Sequence, residues 1–159
     1  MVCSATSIGA RADQSVDLTF SVGENRSTDS KFWGWGLDFS HYLSDRWSWT
    51  GGVAFDQDIA DTSNGDAEKT HTFGVGAMLN YDLNEQWALS VGLSKAVADD
   101  ATSDGHYQFS NGDLGVGFSL AYGRAWQSSR SWSVGFSYEY KLDQHEHTVA
   151  LDFGLSLNL

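Results

Sequence analysis

Apolar and polar residues alternate one by one through almost the whole chain, and no other feature restricts its fold so severely. The final segment shows this most clearly. Val149, Leu151, Phe153, Leu155, Leu157 and Leu159 take the odd positions, while Thr148, Ala150, Asp152, Gly154, Ser156 and Asn158 take the even ones. Successive side chains of a strand point to opposite faces, so such a segment has one apolar and one polar side. A helix would scatter the same residues around its circumference. Seven earlier segments repeat the pattern, with apolar sets over 16–22, 33–39, 47–55, 73–81, 87–93, 114–122 and 132–140. Most of these eight strands span about 10 residues, the length a tilted strand needs to cross a bilayer.

The connections alternate in length. Tyr42-Leu43-Ser44-Asp45-Arg46-Trp47 and Asp82-Leu83-Asn84-Glu85-Gln86-Trp87 share one frame, which Gln127-Ser128-Ser129-Arg130-Ser131-Trp132 follows. Leu43 and Trp47 share a face when an odd number of residues separates them, so three-residue turns are predicted for all three. The other connections, near 24–30, 59–70, 98–111 and 143–146, are polar and acidic. Short turns at one end, longer loops at the other and an even strand count describe an up-and-down transmembrane β-barrel, with both termini on the short-turn side. The hairpin repeats at Trp47, Trp87 and Trp132; a propeller of similar period needs about four strands per repeat, and two are present.

The polar face decides which way the barrel turns. It is built from small residues such as Gly34, Gly36, Ser40, Gly52, Gly74, Gly76, Gly92, Gly115, Gly117, Ser133 and Gly135. A water-exposed strand surface, as on a soluble lipocalin-like barrel, would instead carry Lys, Glu, Arg and Thr. Small side chains suit eight columns converging in a narrow lumen. The opposite face, rich in Trp, Phe, Leu and Tyr, would overfill that lumen and belongs in hydrocarbon. Trp47, Trp87 and Trp132 each open a strand after a short turn, and Tyr81 and Trp126 precede two of those turns. They are expected to form an aromatic girdle at headgroup level.

Composition closes other routes. The net charge of −12 argues against nucleic acid, whose phosphates require a Lys/Arg excess. One cysteine, Cys3, provides neither an internal disulfide nor a cysteine metal cluster. No stretch approaches the roughly 18 apolar residues of a membrane helix. Ala10-Arg11-Ala12 before Asp13 reads as the end of a secretory leader, giving residues 1–12 as a signal-peptide remnant and 13–159 as the barrel.

Over 16–159 the eight strands, the aromatic–turn–Trp hairpins and the alternating last strand resemble the small eight-stranded outer-membrane proteins of the OmpX, OmpW and opacity-protein type. The resemblance implies a bacterial outer-membrane location, with long loops extracellular and short turns and termini periplasmic. It implies outer-membrane lipid, lipopolysaccharide and the barrel-assembly machinery as partners, and a monomer without a cofactor. Such barrels usually end in Phe or Trp, which that machinery reads; this sequence ends in Asn158-Leu159.

Some similar barrels are lipid A-modifying enzymes that use His with Ser or Asp. Here His41 beside Ser40, His71 between Thr70 and Thr72, and His106 are the candidate bases. Ser40 and His41, being adjacent in a strand, point to opposite faces, so that pair cannot form a nucleophile–base couple. His145 and His147, flanking Glu146, form a weak metal candidate without a specified further ligand. Asp56, Asp58, Asp61, Asp66, Glu68, Asp99, Asp100 and Asp104 match no calcium-loop spacing. By parity Asp17, Asp38, Asp56, Glu139, Lys141 and Asp152 face the lumen. Counting from strand ends brings Glu139, Lys141 and Asp152 together as a polar plug, because a buried charge needs a partner. The sequence is therefore read as a non-enzymatic outer-membrane barrel acting through acidic surface loops or in membrane integrity. A lipid A-modifying enzyme and a narrow porin-like channel or hydrophobic-solute conduit are the alternatives.

Overall fold

The computed structural model describes residues 13–61, 67–99, 108–109, 112 and 114–159. The proposed leader remnant, Cys3, Asp66, Asp100, Asp104 and His106 lie outside the described residues. Among the described residues nine strands follow one another: β1 (Gln14–Asn25), β2 (Ser30–Tyr42), β3 (Trp47–Asp61), β4 (Ala67–Asp82), β5 (Trp87–Asp99), β6 (Gln108–Phe109), β7 (Leu114–Gln127), β8 (Arg130–Lys141) and β9 (Glu146–Asn158). Setting aside the two-residue β6, each strand pairs antiparallel with its neighbours in sequence, and β9 returns to pair with β1. The result is a closed, all-antiparallel, eight-stranded barrel with no free edge, so the backbone of every spanning strand is paired on both sides.

Burial is inverted relative to a water-soluble domain. Leu18, Leu37, Leu93, Phe118, Phe136 and Leu155 are each about half exposed on the outer surface. The buried residues are mostly small or polar, among them Ser15, Thr19, Ser40, Thr50, Asn80, Ser137 and Asp152. Small lumenal side chains let eight strands close around a narrow axis, and the large ones stand outside where volume is unlimited.

The register corrects the expected connections in two places. Leu43 N–H donates to the Trp47 carbonyl at 2.8 Å and Leu83 N–H to the Trp87 carbonyl at 2.8 Å, so the first two turns hold three residues. The third differs: Gln127 pairs with Arg130 around a two-residue Ser128–Ser129 turn, and a bulge at Trp126 restores the count. Parity demands an odd number of residues, and a shorter turn plus a bulge satisfies it equally well. The second correction is to loop length. Residues 59–70, expected as a loop, are mostly paired, with Ile59 opposite Lys69 and Asp61 opposite Ala67. Gln108–Phe109 likewise pairs with Ala98 and Asp99 inside the expected 98–111 loop. Beyond the apolar band a strand's outer face no longer needs to be apolar, so alternation fades while backbone pairing continues.

Candidate functional site: the lumen and its two rims

Four lumenal acids stand directly opposite a glycine on the next strand: Asp38 opposite Gly52, Asp56 opposite Gly34, Glu139 opposite Gly117 and Asp152 opposite Gly135. At Gly34 and Gly52 the missing side chain makes room for the carboxylate of Asp56 and Asp38. Hydroxyls solvate lumenal carboxylates: Ser21 Oγ donates to Asp152 Oδ1 at 2.6 Å, and Thr19 Oγ1 lies 3.4 Å from Asp38 Oδ2.

Toward the short-turn end a hydrogen-bonded chain runs along the lumenal wall from β1 to β4. Ser40 Oγ lies 2.9 Å from Asp17 Oδ2 and 2.7 Å from Thr50 Oγ1. Asn80 Nδ2 donates to Thr50 Oγ1 at 2.8 Å and to Ser48 Oγ at 3.1 Å. Ser15 Oγ adds a contact to Asp17 at 3.2 Å. These groups come from β1, β2, β3 and β4 in turn and are almost fully buried. Toward the loop end the lumen widens into a cavity of about 470 Å³, whose lining includes Asp56, Asp58, Asp99, Glu139, Glu146 and Lys141.

The expected Glu139–Lys141–Asp152 plug is not what forms. Lys141 Nζ pairs with Glu146 Oε2 at 3.2 Å, and Asn25 Nδ2 donates to the same oxygen at 2.8 Å. Glu139 stands opposite Thr148, whereas Asp152 stands opposite Gly135, four residues further along β8. That offset is about 13 Å along the strand at ~3.3 Å per residue. Glu139 and Lys141 share the loop-side cavity, and Asp152 belongs to a deeper layer with Ser21. Asn80, Thr50 and Ser21 were not singled out as site residues. Their signal was available: each is a polar side chain at an inward position of an otherwise small-residue face.

The histidines sit apart from this interior. Ser40 is buried in the lumenal chain, and His41 faces outward between Gln14 and Trp49. His71 stacks on Phe55 on the outer face, ring centroids 5.6 Å apart. His147 Nδ1 lies 2.5 Å from the Tyr138 hydroxyl and His145 Nδ1 lies 2.6 Å from that of Tyr140. Among the described residues no group of three His, Cys, Asp or Glu could hold a metal ion, so His145 and His147 gather no further ligand.

At the turn rim, Trp47 packs on Tyr81 with ring centroids 4.8 Å apart, and Tyr122 lies between Trp87 (5.2 Å) and Trp132 (5.9 Å). Trp126 is exposed at the bulge. Tyr122 therefore joins the expected set of Trp47, Trp87, Trp132, Tyr81 and Trp126. Arg46 Nη1 hydrogen-bonds the Tyr81 hydroxyl at 3.2 Å, which raises the guanidinium above its ordinary pKa.

No protein-family model and no curated protein matches the chain. Solved structures do. Neisserial surface protein A aligns with a TM-score of 0.60 at 13% identity, over 92% of this chain and 96% of that one. The outer membrane protein OprG from Pseudomonas aeruginosa aligns with a TM-score of 0.55 at 12% identity, covering 95% and 99%. The Yersinia pestis outer membrane protein Ail, determined in a phospholipid bilayer nanodisc, aligns with a TM-score of 0.54 at 16% identity, covering 92% and 100%. At these identities the likeness is one of fold: the chain has the architecture of the small eight-stranded outer-membrane barrels.

Proposed function

We propose that the protein is an integral bacterial outer-membrane barrel without enzymatic activity, acting through its acidic surface loops or in membrane integrity. Its loop end faces outward, and its short turns and termini face the periplasm. The carrying observation is the inverted burial: half-exposed Leu and Phe cover the outer wall while Asp, Ser and Thr fill the interior. In water that wall would be an apolar patch far beyond what soluble monomers expose; in hydrocarbon it is the favourable arrangement. The Trp47–Tyr81 and Trp87–Tyr122–Trp132 contacts at the turn rim support an interfacial belt.

The test is fractionation of cells expressing the chain behind a signal peptide, followed by electrophoresis of boiled and unboiled outer membranes. A heat-dependent mobility shift in the outer-membrane fraction is expected. A soluble periplasmic protein with no shift would replace this reading with a ligand-binding soluble barrel. An epitope tag inserted after Asp104 should be labelled on intact cells. Lipid A extracted from the same cells should keep its mass, and an altered acylation pattern would overturn the non-enzymatic assignment.

A further inference from the structure

Register places the outward side chains of the loop rim in rows. One row runs Tyr138, Val149, Glu24, Lys31, Ile59 and Lys69 across β8, β9, β1, β2, β3 and β4. The row beneath it, toward the turn end, runs Phe136, Leu151, Val22, Trp33, Gln57 and His71. The apolar band thus ends between these rows on β1 and β2, where Val22 gives way to Glu24 and Trp33 to Lys31. A surface groove of about 360 Å³ straddles that boundary, walled by Val22, Phe136, Val149 and Leu151 and closed at its upper edge by Glu24 and Lys31.

The charge at the upper edge is unlike that of the rest of the molecule. Glu24 is the one outward-facing acid on β8, β9, β1 and β2, and the Arg26 guanidinium pairs with it. Lys31 stands beside that pair, and Lys69 lies two strands further along the same row, across Ile59. With Asp29 on the same β1–β2 turn as Arg26, three cations meet two anions here, on a chain whose net charge is −12. Tyr138 and Trp33 flank the groove with amphipathic rings at the same boundary. An apolar trough below and a cationic edge above is complementary to a lipid that carries acyl chains under an anionic headgroup.

We infer that this face binds lipid A, with one acyl chain in the Val22–Phe136–Val149–Leu151 groove and a phosphate at Lys31 and Arg26. The assignment to lipid A rather than a phospholipid rests on the proposed orientation, which puts the loop rim in the outer leaflet. The Glu24–Arg26 pair holds the guanidinium against the outer wall. Lys31 supplies the charge that Glu24 does not cancel, and Lys69 extends the edge toward a second phosphate.

The test uses the refolded full-length chain in neutral maltoside micelles, titrated with bis-phosphorylated lipid A and followed by amide chemical shifts of Gly23, Lys31, Val149 and Leu151. These amides should move in a saturable way. Lys31→Gln should weaken binding about fivefold, the effect of one cation at an anionic lipid surface. Arg130→Gln at the opposite rim should leave it unchanged. Both variants should keep the heat-dependent mobility shift, which checks the barrel independently. A barrel that keeps this shift while lipid A moves no rim amide would overturn the site and leave the membrane assignment standing. Equal affinity for phosphatidylglycerol would overturn lipid A as the ligand, and equal affinity for dephosphorylated lipid A would overturn the phosphate contact. Loss of the mobility shift in the unmodified chain would remove the membrane assignment itself.

Discussion

The room a lumenal glycine leaves beside an acid is a spatial requirement that differs from site to site. At Gly52 a Cβ would run into the Asp38 carboxylate and would also lie 2.7 Å from the Leu37 carbonyl oxygen, which cannot swing aside. At Gly115 it would meet Glu139 Oε1 and Ser94 Oγ, both at 2.5 Å and both on movable side chains. Gly52→Ala should therefore cost about 1–3 kcal/mol, the usual range for overpacking, and Gly115→Ala clearly less. Urea unfolding in lipid vesicles, read by tryptophan fluorescence, would show it; equal midpoints would refute the argument. Lys141 poses the converse case, a charge removed. It and Glu146 are part-buried, so Lys141→Met should destabilise by about 1–2 kcal/mol, less than the 3–5 of a fully buried pair. Adding Glu146→Gln should recover part of that loss in the same assay. Parity in the sequence places Lys141 on the inward face, but Glu146 reads there as a loop residue between His145 and His147, so Asp152 is the expected partner of Lys141. A turn at 143–146 would set Glu139 opposite Ala150, next to Asp152. The turn at 142–145 sets it opposite Thr148. The two registers differ by two residues, and alternation is blind to any even shift.

Turns supply the registration that alternation lacks, and here they are built by side chains. Asn84 Oδ1 accepts from the backbone N–H of Gln86 at 2.8 Å and of Trp87 at 3.0 Å. Ser44 Oγ plays the same part for Arg46 and Trp47 at 3.4 and 3.2 Å. Asn25 Oδ1 starts the first loop-side turn by accepting from Ser27 N–H at 2.9 Å. Asn84→Ala should cost about 1 kcal/mol, as for loss of a capping side chain, and Ser44→Ala less, since its bonds are longer. A ranking in which Ser44→Ala is the more damaging would contradict this. The frame shared by the 42–47 and 82–87 connections made both turns legible in advance. The Ser128–Ser129 turn was misread because a bulge and a longer loop leave the same parity. Strand ends at the loop rim were hidden for a different reason. Val97 is an extra residue where β5 shifts register against β4, and Asp58, Ala60 and Thr70 line polar space outside the bilayer, so no hydrophobic rhythm marks them.

For the molecule as a whole, the two ends of the lumen are unlike. The loop end is an acidic vestibule of about 470 Å³. The turn end carries, along the β1–β4 side of the lumen, Asp17, Ser40, Thr50 and Asn80, all about 1% exposed and joined by hydrogen bonds. Ions attracted by Asp56, Asp58 and Glu139 are therefore expected to stop in the vestibule. An eight-stranded barrel leaves little beyond side-chain volume on its axis, so the hydrogen-bonded chain decides whether anything passes. The unmodified protein should show no steady conductance in planar bilayers. Replacing Ser40, Thr50 and Asn80 together by Gly should open a leak. Each lost bond among buried groups costs roughly 0.5–1.5 kcal/mol, so the variant should remain folded by the mobility-shift assay yet be less stable. Asp56→Gly, which alters the vestibule and leaves the chain intact, should stay closed. Reproducible conductance in the unmodified protein would mean that the chain opens in the membrane, and a narrow channel would become the better description of what this barrel does.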